Sequence, residues 1–278
     1  AHLGGRLLTE GDVSIDGLSG AEWVAAQVAA LEVMDNVTIR TRMQASGLYD
    51  HGYAMLYERL GDHVGNHSGP RHRLWKVRCE RIVICAGAIE RPLAFANNDV
   101  PGVMLAGAVR DYIALWGVAP GRDIVVFANN DDAYRTAIAA FEAGLKVPAI
   151  VDPRTEPSGD LPDRARALGI RIMASSVITK AKGGKAVDGA IIGNLTPAGR
   201  IGGATEIVKC DCIAMSGGWS PIVHLYSHCG GKLNWDEEAA MFRPAPERGA
   251  PIGADGQINT VCAGASNGAM SVSEGLAD

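Results

Sequence analysis

Val126-Phe127-Ala128-Asn129-Asn130-Asp131-Asp132-Ala133 is the stretch that decides how this chain folds. Ile124-Val125-Val126-Phe127 is apolar without a break, as in a parallel strand covered on both faces. From Asp132 to Ala143 the apolar positions take up the helical period, and Gly144 stops it. Val147–Val151 then reads as a second buried strand, ending at Asp152, some 24 residues beyond Ala128. Strand, tight turn, helix, strand and a late acidic residue are the layout of the dinucleotide fingerprint G-x-G-x-x-G. Here its three glycine places hold Ala128, Asn130 and Ala133. Asn130 hinders the approach of a pyrophosphate to the backbone, and Asp131 and Asp132 at the helix start repel it. The reading is a Rossmann-type unit that no longer binds a dinucleotide in the usual way.

Outward from this point, residues 99–205 read as one α/β unit. A helix over Leu105–Trp116 precedes Pro120-Gly121. A shorter one over Arg164–Leu168 is stopped by Gly169, and weaker strands follow near Ile170–Met173, Val177–Lys180 and Val187–Ile192. Nearer the start, Ser19-Gly20-Ala21-Glu22 has capping-box spacing, and Val24, Val28 and Leu31 continue as one helical stripe. The period then changes to two. Val37 and Ile39, then Tyr53, Met55 and Tyr57, then Trp75, Val77 and Cys79 predict three half-buried antiparallel strands. Ile82-Val83-Ile84-Cys85 is again a covered strand, and it ends in the small residues Ala86-Gly87-Ala88. In the last third, Asp211–Met215 is another apolar strand, ending at Ser216-Gly217-Gly218. Ser220-Pro221 predicts the cap of a short helix through His228. Ile258–Cys262 leads into Ala263-Gly264-Ala265-Ser266-Asn267-Gly268 and a C-terminal helix. That puts a glycine turn at a helix N-terminus, where free N–H groups attract phosphate.

Composition narrows the function classes. The 278 residues are 47% hydrophobic and 21% charged, which supports a sizeable core, and the length suits two domains. A net charge of −5 speaks against nucleic acid as a partner. The basic residues between Arg59 and Arg81 are broken by apolar positions, as in a strand pair facing water. No apolar run is long enough for a membrane helix, no membrane partner is expected, and six scattered cysteines read as reduced cytoplasmic thiols. The chain opens at Ala1-His2-Leu3 without an initiator Met, which reads as a piece of a longer polypeptide.

Chemistry-bearing clusters are few. Cys210 and Cys212 with His224, His228 and Cys229 offer zinc-type donors, but their spacing is not that of a zinc site, and no metal is expected. There is no Ser/His/Asp arrangement, P-loop or C-x-x-C, so no catalytic residue is assigned. Glu90, Arg91 and Trp219 read as ordinary strand-end and loop residues.

Ile84-Cys85-Ala86-Gly87-Ala88-Ile89-Glu90-Arg91-Pro92, continuing to Asn98-Asp99-Val100-Pro101-Gly102-Val103-Met104, forms a pattern. Joined to Asn129–Ala137, to Ser216–Pro221 with His224 and His228, and to Gly264–Gly268, it resembles the N-terminal half of the alpha subunits of heterotetrameric sarcosine oxidases. These lie in the pyridine nucleotide–disulfide oxidoreductase superfamily. Amine and opine oxidases, cyanide synthase and dye-linked proline dehydrogenase have similar subunits.

The resemblance implies an α/β fold with two dinucleotide-binding, FAD/NAD(P)-binding Rossmann-like domains. An outer domain, truncated at its N-terminus, would comprise 1–98 and 206–278, with a smaller inserted domain at 99–205. Its glycine fingerprint would lie upstream of Ala1. The resemblance places Gly4 and Gly5 beside the cofactor, Cys85, Ala86, Gly87 and Ala88 at the small strand end, and Gly264, Ala265, Asn267 and Gly268 at the late turn. It implies NAD in the alpha subunit, FMN at the contact with beta, and FAD on beta, where sarcosine is oxidised. It also implies beta, gamma and delta partners and a tetrahydrofolate-linked domain beyond Asp278. Competing readings are a free-standing NAD(P)H-dependent reductase, a docking scaffold and a metal-binding module.

Overall fold

The computed structural model describes residues 2–278, except the side chains of 203–205; Ala1, the expected first residue of the outer domain, lies outside the described residues. The chain forms two compact units.

The first unit joins Arg6–Ala21 to Glu90–Gly218. Its centre is a parallel sheet ordered Ile172–Met173, Ile150–Val151, Ile124–Ala128, Cys212–Ser216, Val103–Leu105. Every residue of Ile124–Ala128 and Cys212–Ser216 is buried, as their unbroken apolar runs require. Helices Ala106–Trp116 and Asp132–Glu142 cover one face through Val109, Tyr134, Ala137 and Ile138. An antiparallel sheet of Ser176–Gly183, Val187–Leu195 and Ile201–Val208 covers the other, with Val125, Ile178, Ile192 and Ile213 in the interface. The boundary expected between 205 and 206 therefore falls inside this unit, because Cys212–Ser216 is a central strand of its sheet. The helix expected over Arg164–Leu168 is Asp160–Ala167, with acidic Asp160 and Asp163 in its first turn. Gly169 ends that segment at φ +76°.

The second unit comprises residues 2–5, Glu22–Ile89 and Trp219–Asp278. Three antiparallel strands, Met43–Tyr49, Tyr53–Arg59 and His72–Arg78, form a meander. The first begins after Val37 and Ile39, which lie in irregular chain. Beside the meander a parallel pair forms, Ile82–Ile84 with Thr260–Cys262. Leu48, Ala54, Ile84, Tyr226, Cys229 and Cys262 make the core. Two further expectations change here. Trp219–Pro221 is a strand, and the short helix is His224–His228, starting after Val223. The C-terminal helix is Val272–Ala277, capped by its own Ser271–Glu274 box.

Candidate functional site

The parallel pair in the second unit sets the site. Its register joins Thr260 to Ile82, Val261 to Val83 and Cys262 to Ile84, so both chains leave the sheet at the same end, side by side. After one strand comes Cys85-Ala86-Gly87-Ala88; after the other comes a 3₁₀ turn, Gly264–Asn267. The two turns are tied together. The Ala263 N–H donates to the Ile84 carbonyl at 3.0 Å, and the wholly buried Ser266 hydroxyl lies 2.6 Å from the same carbonyl and 2.8 Å from that of Ala263. Burial pushes the neighbouring Cys262 thiol up to about 11, so it stays protonated and unreactive near neutral pH.

Small residues leave the space above these turns open. Gly87 (φ +79°) and Gly264 (φ +64°) adopt left-handed backbone, and a Cβ added to either would meet no heavy atom within 4 Å. Gly268 (φ +92°) is closed in, because a Cβ there would lie 3.0 Å from the Arg243 guanidinium. Cys85 is exposed, and Ala86 beside it is exposed too. The late turn already holds an anion. The Gly264 N–H and the Asn267 side-chain amide each donate to the Asp278 carboxylate at 2.7 Å. The donors come from the turn itself; Gly268 in left-handed backbone ends it, and the α-helix starts only at Val272, so the expected helix N-terminus is not at this turn.

Of the residues singled out, the structure thus brings Cys85, Ala86, Gly87 and Ala88 together with Gly264, Ala265, Asn267 and Gly268. Gly4 and Gly5 have positive φ of +113° and +51°, and no hydrogen bond among the described residues links them to either turn. Ser266 and Asp278 were missed. A hydroxyl among small residues directly after an apolar strand is the signal that could have found Ser266; Asp278 lies far enough along the chain that only folding shows its role.

The fingerprint-like turn in the parallel-sheet unit is built differently. Asp132 opens its helix, but three guanidiniums surround the carboxylate: Arg6 at 3.1 Å, Arg110 at 3.2 Å and Arg135 at 3.2 Å. Arg110 is 1% exposed, so the guanidinium end of this pair is held out of water, while Asp132 is partly exposed. Asp131 is paired with Arg154 at 2.7 Å. The expected repulsion at this turn is therefore neutralised inside the protein. Asp152, at the place of a ribose contact, is fully buried and accepts from the Tyr134 hydroxyl at 2.8 Å and from Arg154 at 2.7 Å. Asn130 donates to the carbonyl and hydroxyl oxygens of Ser216 at 3.2 and 3.1 Å. The side chains of Asn130, Asp131, Asp132 and Asp152 thus all have internal partners. Nearby, Glu90 is 6% exposed and takes the Gly107 N–H at 2.8 Å, and burial pushes its carboxyl above the usual carboxylate range. Arg110 had a signal in the sequence, since a guanidinium in the apolar Leu105–Trp116 run demands a buried partner.

Among the described residues no group of three or more His, Cys, Asp or Glu is placed to hold a metal ion, and no helix is long and apolar enough to cross a membrane. No protein-family model matches the chain. Curated relatives do. Sarcosine oxidase subunit alpha of Rhizobium meliloti (strain 1021) is 38% identical over 252 residues, 90% of this chain and 24% of that protein. The subunit alpha of Corynebacterium sp. (strain P-1) is 36% identical over 249 residues, 88% and 25% of the two chains. This chain is homologous to sarcosine oxidase subunit alpha. It spans about a quarter of the length of these alpha subunits. T. acidophilum thioredoxin reductase superposes with a TM-score of 0.66 at 15% identity, over 99% of this chain and 84% of that one. The fold of this alpha-subunit homologue is thus that of the two-dinucleotide-domain oxidoreductases.

Proposed function

We propose that the chain is the cofactor-binding portion of a sarcosine-oxidase-like alpha subunit, a cytoplasmic oxidoreductase component with NAD lying against the Cys85–Ala88 and Gly264–Gly268 turns. The single observation that carries this reading is the convergence of those turns at one end of a parallel strand pair. Open αL glycines let a diphosphate reach the main chain, and the Gly264 N–H with the Asn267 amide already grips a carboxylate in the geometry an oxyanion needs. Gly4 and Gly5 join as further backbone neighbours. Bound there, NAD would supply a nicotinamide group; this chain's residues bind and orient it and offer no acid or base of their own. FMN at a contact with a beta subunit, FAD on beta, and gamma- and delta-like partners complete the assembly in this reading, in which sarcosine is oxidised on beta. The domain scheme of 1–98 with 206–278 around 99–205 is kept with its bounds altered, in that residues 6–21, 90–98 and 206–218 go with the insert.

Isolating the intact assembly and identifying the cofactors it releases on denaturation tests this. NAD together with flavin is the expected result; an assembly holding neither nicotinamide nor flavin would sink it. The internally filled turn at Asn129–Asp132 favours a second reading, a docking scaffold whose nucleotide units supply only surface. Titrating the full-length polypeptide with NAD separates the two: saturable binding counts against a pure scaffold. The same filled turn argues against a free-standing NAD(P)H reductase, which hydride transfer from NADH by the full-length protein would revive.

A further inference from the structure

The antiparallel meander of the second unit has two unlike faces. Ala54, Leu56 and Val77 turn into the core. The alternate positions form the outer face, where the register pairs Tyr53 with Arg78, Tyr57 with Leu74 and Arg59 with His72. Lys76 lies between them, opposite Met55, and has no carboxylate within ion-pair distance among the described residues. Every charged side chain on the outer rows of these two strands is a base; the one acid on Tyr53–Arg59, Glu58, points to the other side and takes the Trp75 indole N–H at 2.7 Å. Arg59 reaches Asp62 in the following loop only at 4.0 Å. Leu74, in the middle, is 51% exposed. Residues 40–81 hold 8 Lys and Arg against 4 Asp and Glu, a local excess of +4 in a chain of −5.

We infer that this face docks an acidic segment of another polypeptide of the assembly, an inference that rests on the alpha-subunit reading for the existence of such a polypeptide. Charge complementarity sets the chemistry: carboxylates bridge Arg59, Lys76 and Arg78, and apolar side chains between them cover Leu74. Size sets the form of the ligand. Two seven-residue strands give a face roughly 24 Å by 10 Å, far below the ~800 Å² that each side of a stable globular interface buries, so one extended segment fits it. Single-stranded nucleic acid is the other chemistry that basic and aromatic residues on a sheet suggest, but it needs free ring faces. These are taken. The Arg78 guanidinium sits 4.9 Å over the Tyr53 ring, and His72 packs on Tyr57 at 5.0 Å.

The test uses the full-length alpha polypeptide and its partner subunits, with affinity measured at about 50 and 300 mM KCl. Lys76→Glu, alone and with Arg78→Glu, should weaken association at least tenfold at low salt and flatten its salt dependence. Lys76→Arg should retain wild-type affinity, and the thermal midpoint and NAD content should stay unchanged. An affinity within twofold of wild type in both charge-reversed proteins overturns the inference and leaves the cofactor reading standing. A full-length polypeptide that assembles with nothing removes both the alpha-subunit reading and this one. Binding of a single-stranded oligonucleotide or of phosphatidylserine vesicles that the same substitutions abolish, with subunit affinity untouched, would also overturn it.

Discussion

Two strand-end turns in this molecule start from the same geometry and finish with opposite chemistry. Both follow parallel strands, a fully buried one at Ala128 and one at Cys262 whose Val261 is exposed. At the first, side chains fill the space in front of the turn: Asp132 within three guanidiniums, Asp131 on Arg154, Asn130 on Ser216. At the second, Gly264 and Gly87 leave it open, and a carboxylate rests on turn donors. A turn of this kind offers N–H groups to an anion only while its own side chains stay out of the way. Once a carboxylate is built in at the helix start, the protein supplies the anion itself, and the arginines that hold it become structural.

The largest effect expected from breaking this contrast comes at Asp132. Asp132→Ala strands the buried Arg110 without its carboxylate, and the cost should be about 3–5 kcal/mol, read from urea unfolding. A loss under about 1 kcal/mol would show that the arginine cage is ornamental. Ser266→Ala at the open turn should cost less, about 1–2 kcal/mol, because only a hydroxyl bond tying two segments is removed. It should also weaken NAD binding by the full-length polypeptide; full stability with full affinity would mean that the tie does not position the site.

A paired substitution sharpens the comparison further. Gly264→Ala meets no clash, so its stability cost stays near the ~1–2 kcal/mol of a left-handed alanine, yet NAD affinity should fall at least tenfold. Asn130→Gly, which restores a fingerprint glycine at the filled turn, should leave NAD affinity as it was. Calorimetric titration of both variants decides, and the reverse pattern would move the cofactor to the parallel-sheet unit. The smallest effect belongs to Glu90. Its carboxyl is raised in the fold chiefly by burial, so the protonated form is favoured there; that contribution is complete below about pH 4.5 and is lost as pH rises through the raised value. Glu90→Gln keeps an acceptor for the Gly107 N–H and removes the charge. Stability at pH 7 should change by under about 1 kcal/mol, upward if at all, and its dependence on pH between 4 and 7 should flatten.

How far each element was legible depended on how local its cause is. Ile124–Ala128 and Cys212–Ser216 announce themselves, because a strand buried on both faces must be apolar at every position. Gly144 and Gly169 mark helix ends because left-handed backbone is costly for other residues. Trp219–Pro221 misled, since a Ser-Pro pair suits a helix start and yet sits here in a strand. The domain boundary was harder. Nothing in Asp211–Ser216 tells which sheet the strand joins; pairing with Ile124–Ala128, across the 83 residues between the two strands, decides it.

By itself the sequence determined the α/β character, the buried strands, and the small-residue turns, since each follows from side-chain size and spacing along a few residues. It also carried enough identity to establish homology with sarcosine oxidase subunit alpha. Only the tertiary structure decided that the Cys85 and Gly264 turns share one end of a sheet, and that the Asp131-Asp132 carboxylates are caged by arginines distant in the chain. The physical reason is range: propensity and burial act residue by residue, while ion pairs and parallel register join segments whose separation leaves no trace in local pattern.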